Sequence, residues 1–258
     1  MSNQAFASEL EVGIRPLVFE TPCRARASKV KRAICQGSLL ILLLTTGCNP
    51  SQTLFQSNFD ATAIDQPPAH QQAVGTVTID GGVRVAAIPD TNSKGVRFSR
   101  ISGSNDAVLH CNLSQAPGDS TYVFSTLLFF PSGSGGLVTI QFEKAGGGER
   151  FLHLDIFPGC KADDPRGCFR IDDDNSRLFG KYQLDQVFIL QVTLNINASS
   201  PSAHVVISGA GASGEADRTV SPELLTIARQ FGAVRISSGL EADVSTFFAT
   251  NIVVTRKS

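Results

Sequence analysis

The strongest candidates for chemistry are polar side chains that alternate with apolar ones in three short segments. Gln141 and Glu143 oppose the apolar residues of "GLVTIQFE", His153 and Asp155 do so in "RFLHLDIF", and "FRID" adds Arg170. If these segments are neighbouring strands, the five side chains share one side of a sheet, which we call the polar face. Such a set can bind sugar hydroxyls or move protons. The alternative is a solvated face on which the charges pair across strands.

A second group of oxygen-bearing side chains is the run "DDDN" at 172–175. Calcium takes about six to eight oxygen ligands, and clustered carboxylates can supply several of them. The run lacks the glycine and the distal glutamate of a hand-type calcium loop, and Asp and Asn are also common turn residues. We therefore expect a turn and no cofactor, with structural calcium as the alternative.

The segments that carry these residues belong to a long series of strand signals. Runs rich in Val, Ile, Phe and Thr recur from "TVTI" to "FFATNIVVT", separated by clusters of Gly, Pro, Asn, Asp and Ser. Many runs alternate with period two, which predicts an all-β sandwich or barrel. One short helix is predicted at about 221–231, with Ser221 before it, Pro222 at its first position and Gly232 after it.

Four segments resemble the concanavalin A-like lectin/glucanase superfamily, the jelly-roll sandwiches that include laminin-G-like domains. They are "LFQSNFD", "FRIDDDNSRLFGKYQLDQVFILQVTLNIN", "AHVVISGAGASG" and "FFATNIVVT", and the resemblance covers residues 53–256. It implies a jelly-roll β-sandwich of two antiparallel sheets whose first and last strands pair. It also implies that the polar face is a concave ligand surface, and that Asp60 could meet the last strand near Asn251 at a calcium site.

The resemblance leaves the activity open between binding and hydrolysis. Laminarinase-type members carry Glu-x-Asp-x-x-Glu on one strand, and neither "QFEKAG" nor "GEADRT" supplies that spacing. A retaining glycosidase needs two carboxylates about 5 Å apart, so we assign no catalytic residues. Trp is absent and Tyr occurs twice, which removes the rings that usually stack on sugars.

We therefore expect a binding or structural module, for a glycan or another envelope component. The alternatives are a polysaccharide hydrolase or lyase that uses the polar face, and an assembly protein with no small ligand. If the polar face binds a ligand, replacing Arg170 by Ala should weaken binding at little cost to the fold, because the guanidinium donates two hydrogen bonds.

The compartment is indicated by the run "LLILLLTTGC" at 39–48. It is too short for a membrane-spanning helix, which needs roughly 20 apolar residues, and basic residues precede it, as in a secretory signal. It resembles the lipobox of bacterial lipoproteins, which implies that Cys48 is lipidated. We therefore expect a leader at 1–47, whose true start is Val30 if the gene begins at a GTG codon, then a tether at 48–52 and the sandwich domain at 53–258.

The anchor makes the membrane a partner and predicts the bacterial envelope, at the outer membrane, with secretion or the periplasm as alternatives. The part after Cys48 carries 16 Lys and Arg against 20 Asp and Glu. With this mild acidic balance and no basic stripe, we expect no nucleic-acid binding. In an exported protein, Cys160 and Cys168 predict a local disulfide. Cys111 alternates with Leu109 and Leu113 and should face the core.

Overall fold

The structure is a computed structural model that describes residues 51–100, 106–115, 118–160, 164–172, 178–197, 199–238 and 245–257. The predicted leader and Cys48 lie outside the described residues. Among the described residues, no helix has the length and apolar composition needed to cross a bilayer.

The described chain is built almost wholly of β-strands, as the alternating sequence predicts. The strands are β1 Gln52–Ser57, β2 Thr76–Asp80, β3 Val83–Ala87, β4 Lys94–Arg100, β5 Val108–Asn112, β6 Thr121–Phe129, β7 Val138–Lys144, β8 Arg150–Phe157, β9 Gly167–Ile171, β10 Phe179–Tyr182, β11 Val187–Asn195, β12 Ser202–Gly209, β13 Ala212–Thr219, β14 Phe231–Ser238 and β15 Ser245–Lys257. A 3-10 turn, Pro222–Leu224, leads into a short helix, α1 Leu225–Ala228.

The strands form two antiparallel sheets joined through one shared strand. The first sheet has the order β2-β5-β14-β7-β8-β9-β10, and the second continues as β13-β12-β11-β6-β15-β4-β3. β10 pairs with both β9 and β13 and so connects them. β1 pairs with the second half of β15, as the resemblance implies for the first and last strands.

Both outer strands of this arrangement are covered by the segment between β1 and β2. Asp65 N–H donates to the Val85 carbonyl of β3, and Val85 N–H donates to the Gln66 carbonyl. At the other end, Val77 N–H of β2 donates to the His70 carbonyl. Covering the edges in this way limits the strand-to-strand association that exposed edges invite.

The core between the sheets is dominated by phenylalanine, because alternate residues of each strand point inward. Phe124 of β6 and Phe142 of β7 meet edge to face across the sheets, with ring centroids 5.5 Å apart. Such aromatic pairs contribute about 0.5–1.5 kcal/mol beyond the area they bury. Cys111 lies in this core, free and fully buried, as predicted. Burial raises the pKa of its thiol far above the ordinary value, so it is a packing residue.

Two local features refine the sequence prediction. The helical segment ends at Ala228, and Phe231 and Gly232 belong to β14, where Phe231 pairs with Lys144 of β7. Ser221 precedes the helical turn but makes no side-chain capping bond. The predicted disulfide between Cys160 and Cys168 is present and closes the loop between β8 and β9.

Candidate functional site

The five predicted site residues lie on one side of three adjacent strands. Gln141 of β7 pairs with His153 of β8, and Asp155 of β8 pairs with Arg170 of β9. Glu143 follows Gln141 by two residues on β7, so it points to the same side. The structure therefore brings together side chains that are up to 29 residues apart in the sequence.

These side chains are much less exposed than those of a solvated sheet face. Glu143 is 3% exposed, His153 5% and Asp155 3%. Gln141 and Arg170 are half-buried. Since buried charges are stable only when they are paired or hydrogen-bonded, the contacts of each charge decide what it can do.

Asp155 is held by its neighbours on both sides. Arg170 donates from Nε at 3.0 Å and from Nη2 at 2.6 Å to Asp155 Oδ2, and Thr139 Oγ1 donates to Oδ1 at 3.1 Å. The Arg170 guanidinium also lies 5.0 Å from the centre of the Phe157 ring. The pair is therefore an internal ion pair, and the expectation that Arg170 can be replaced at little cost to the fold is not supported.

His153 connects this ion pair to a second one. Its Nε2 is 3.8 Å from Asp155 Oδ2, and its Nδ1 is 3.4 Å from Asp172 Oδ1. The Asp172 carboxylate also accepts a hydrogen bond from Arg218 Nε of β13 at 2.8 Å and one from the His153 backbone N–H at 3.1 Å. The resulting network links β8 to β13, a strand of the other sheet.

The two candidate calcium sites differ in what their side-chain oxygens already contact. Residues 173–175 lie outside the described residues, and Asp172 already accepts bonds from protein donors. Asp60 is exposed and accepts a hydrogen bond from Asn58 Nδ2 at 2.6 Å, and Asn251 is exposed in β15. In the part of the chain that the structure describes, no group of three or more His, Cys, Asp or Glu side chains could hold a metal ion.

Two residues of the polar face were missed by the sequence analysis. Arg235 of β14 lies beside Gln141 and donates from Nη1 to its Oε1 at 3.2 Å. His110 of β5 pairs with Arg235, and its Nδ1 is 3.7 Å from Glu143 Oε2. Alternation in "AVRISS" and "AVLHCNL" places both side chains away from the core. Nothing in the sequence shows that β14 lies between β5 and β7.

Among the described residues of the polar face, Glu143 is the buried carboxylate with an oxygen that accepts no hydrogen bond. Its Oε2 is buried and has no hydrogen-bond partner among the described residues. Leaving a buried acceptor unpaired costs about 1–3 kcal/mol, so a ligand hydroxyl that donated to it would recover part of that cost.

At one end of the polar face lies a cavity of about 240 Å³. It is lined by Arg150, Phe151, Leu152, His153, Asp172, Arg218, Ser221 and Leu224. The cavity therefore opens where β8 meets the start of the helical turn, next to the ion pair of Asp172 and Arg218.

The solved structures that are similar to this chain include glucanases and lectins. An endo-1,3-β-glucanase from Streptomyces sioyaensis matches with a TM-score of 0.53 at 10% identity, over 81% of this chain and 97% of the glucanase. The fold is a jelly-roll sandwich. A GH131 β-glucanase catalytic domain from Podospora anserina (TM-score 0.48, 10% identity, 79% and 95% coverage) and a lectin from Bauhinia forficata in complex with GalNAc (0.46, 10%, 81% and 99%) are also similar. No protein-family model and no curated protein matches the sequence.

Proposed function

We propose that this chain is a glycan-binding module of the bacterial cell envelope, held by a lipid anchor at Cys48, and that the glycan binds on the polar face. The observation that carries the binding proposal is the unpaired acceptor of Glu143 beside three further polar groups. Arg235, Gln141 and His110 lie on the strands around it and supply both donors and acceptors. A sugar hydroxyl both donates and accepts, so it matches this arrangement.

The charge balance of the polar face favours a neutral ligand. Asp155 pairs with Arg170 and Asp172 with Arg218, while Glu143 and Arg235 add one further charge of each sign. Because the charges nearly cancel, the face has no strong field that would attract a polyanion. Hydrogen bonding then has to supply most of the recognition.

Aromatic stacking contributes little on this face. Trp is absent, and both Tyr122 and Tyr182 are fully buried in the core. A single sugar would therefore gain little contact area, and useful affinity requires several hydrogen bonds to pre-positioned groups. The fixed geometry of the Asp155–Arg170 pair helps to hold the surrounding strands in place for those bonds.

The same contacts favour binding over hydrolysis. Glycosidases use one carboxylate as acid and another as nucleophile or base. Asp155 is hydrogen-bonded to Arg170 and Asp172 to Arg218, so the oxygens of both carboxylates are engaged by guanidiniums and are poorly placed to act on a glycosidic bond. Among the described carboxylates of this face, Glu143 has no guanidinium partner. We therefore expect glycan binding without turnover.

Replacing Arg235 by Ala should weaken glycan binding about ten- to hundredfold, which corresponds to one charge-assisted hydrogen bond of about 1.5–3 kcal/mol. Arg235 contacts the neutral side chain of Gln141, so its removal should cost the fold no more than about 1 kcal/mol. Screening a glycan array and then titrating the best ligand by calorimetry measures the effect. Since a glucanase that acts on 1,3-β-glucan shares the fold, laminarin oligosaccharides belong in the first panel.

The matched control is Arg97→Ala, because Arg97 lies on the other sheet and pairs with the exposed Asp65 at 3.6 Å. It should leave binding unchanged. Equal loss of affinity in both variants, or none in Arg235→Ala, would count against the polar face as the ligand site. Release of reducing sugar from the bound glycan, lost in Glu143→Gln, would favour a hydrolase instead.

The anchor is tested by Cys48→Ser, which removes the predicted attachment point. Two or three acyl chains bind a membrane stably because each buried CH₂ contributes about 0.8 kcal/mol. We expect the wild-type protein in the membrane fraction and the variant in the soluble fraction, as measured by fractionation and immunoblotting. Cys111→Ser, which changes a buried core thiol, is the control and should stay with the membrane. Membrane association of Cys48→Ser would contradict the lipoprotein proposal.

A further inference from the structure

Two further cavities adjoin the cavity at the end of the polar face, along the line where the two sheets join. The first cavity, of about 240 Å³, shares Arg218 with a second of about 260 Å³. The second shares Leu178 and Phe179 with a third of about 570 Å³, which ends at Cys160 and Cys168. We call these three adjoining cavities, lined mainly by residues of β8, β9, β10 and β13, the seam groove.

The seam groove lies beside β10, whose pairing is short on both sides. Its pairing with β13 is the single register pair Lys181 and Ser213, and its pairing with β9 is irregular. Gly180 and Gly214 lie where β10 and β13 approach, and a Cβ on Gly214 would overlap Gly180 Cα. The backbone of these two glycines therefore forms this part of the wall, next to the side chain of Ile207.

The seam groove is longer than a single sugar ring, and its length suits several linked sugars. It follows β13 over 213–218, which corresponds to about 17 Å at roughly 3.3 Å per residue. One end meets His153 and Asp172 of the polar-face network. A ligand on the polar face can therefore extend into the seam groove without leaving the surface.

The middle of the seam groove is apolar. Leu178 is 48% exposed, which is unusual for a large hydrophobic residue in this protein, and Phe179 and Ala216 are half-buried. The apolar face of a sugar ring can pack on side chains of this kind, and Phe179 provides the one partly exposed aromatic ring in the described part of the groove.

The two ends of the seam groove are polar, and their charged side chains are engaged in ion pairs. Arg218 is paired with Asp172 at one end. At the other end, Arg166 and Lys181 both donate to Asp164, at 2.9 and 2.6 Å, and these bonds hold the pKa of the Asp164 carboxyl below its ordinary range. Such ion pairs offer donors and acceptors to the hydroxyl groups of a sugar.

We propose that the seam groove binds an extended segment of a neutral polysaccharide, several sugars long, as a continuation of the polar face. The proposal rests on the glycan-binding function and names its ligand as a neutral chain. An extended peptide is disfavoured, because β10 is already paired on both sides and offers no free edge for strand addition.

The test places a bulky side chain in the groove and measures how the affinity for a glycan depends on the number of its sugars. Ala216→Tyr places a ring in the apolar middle, and Glu215→Tyr places the same ring on the opposite face of β13, where Glu215 is exposed. The probes are laminarihexaose and cellohexaose, with laminaribiose and cellobiose as short partners, titrated by calorimetry. For at least one glycan, we expect the wild-type protein and Glu215→Tyr to bind the hexasaccharide at least tenfold more tightly than the disaccharide.

In Ala216→Tyr this length dependence should disappear while binding of the disaccharide persists. If thermal melting shows that Ala216→Tyr does not fold, Leu178→Ser replaces it, because Leu178 is exposed and its loss should still reduce hexasaccharide affinity severalfold. Equal affinity for short and long probes, or an unchanged length dependence in the filled variant, would overturn the seam groove as a site. If neither hexasaccharide binds, this proposal also fails, whereas loss of array binding in Arg235→Ala would still support the polar face.

Discussion

Replacing Arg170 by alanine is expected to lower the free energy of unfolding by about 3–5 kcal/mol, the usual cost of breaking a buried ion pair. The Asp155 side chain is 4% exposed and would lose the guanidinium that contacts its Oδ2 at 2.6 Å. Thr139 would still donate to Oδ1, and His153 would remain 3.8 Å away, which is too far for a hydrogen bond. The remaining groups therefore cannot replace the lost partner.

Urea denaturation of Arg170→Ala and of Arg97→Ala measures this difference. Arg97 pairs with Asp65 at the surface, where such pairs contribute at most about 1 kcal/mol. A double variant, Asp155→Leu with Arg170→Met, removes both charges and should recover most of the stability. If Arg170→Ala were no more destabilising than Arg97→Ala, the Asp155 carboxylate would not depend on this partner.

The strand pattern was predictable because alternation is a local property of the chain. β7, β8 and β9 each show it, and the polar residues assigned to one side of them lie on one side. β10 and β13 were not identified as strands from the sequence. β13 alternates between exposed and half-buried residues with almost no large apolar side chains, because it lies at the seam and covers little core.

The composition of the site depended on long-range pairing that no local pattern encodes. Arg235 contacts Gln141 across 94 residues of sequence, and Arg218 reaches Asp172 from the other sheet across 46. The burial of Asp155 and Glu143 was also not predictable, since polar residues opposite a core usually face water. The sequence thus indicated which side chains share a face, whereas their partners and exposure required the structure.

The end of the helix was likewise not predictable from the residues of the helix itself. Pro222 marks its start, as the sequence predicts. Its end depends on Phe231, whose ring packs against Phe142, Phe151 and Tyr122 in the core. Because that packing extends the chain into β14, the helix stops one turn earlier than its residue pattern alone would allow.

Replacing Gly167 by alanine should be among the most destabilising single changes outside the ion pair, by about 3 kcal/mol. Gly167 of β9 pairs with Tyr182 of β10, and a Cβ at this position would overlap the far end of the Tyr182 ring. The ring cannot move aside easily, because its hydroxyl donates to the Phe157 carbonyl at 3.1 Å and its plane packs against Phe188 at 4.7 Å.

Gly159→Ala is the matched control, because Gly159 lies in the connection that leads into β9 and a Cβ there meets no atom of the described residues within 4 Å. It should change the urea midpoint little. In a Tyr182→Leu background, whose shorter side chain clears the new methyl group, Gly167→Ala should cost much less than in the wild-type protein. Equal costs in both backgrounds would mean that the overlap with Tyr182 is not the cause. Since β9 carries Arg170 and β10 lines the seam groove, Gly167→Ala should also reduce the preference for hexasaccharide over disaccharide, even where the protein remains folded.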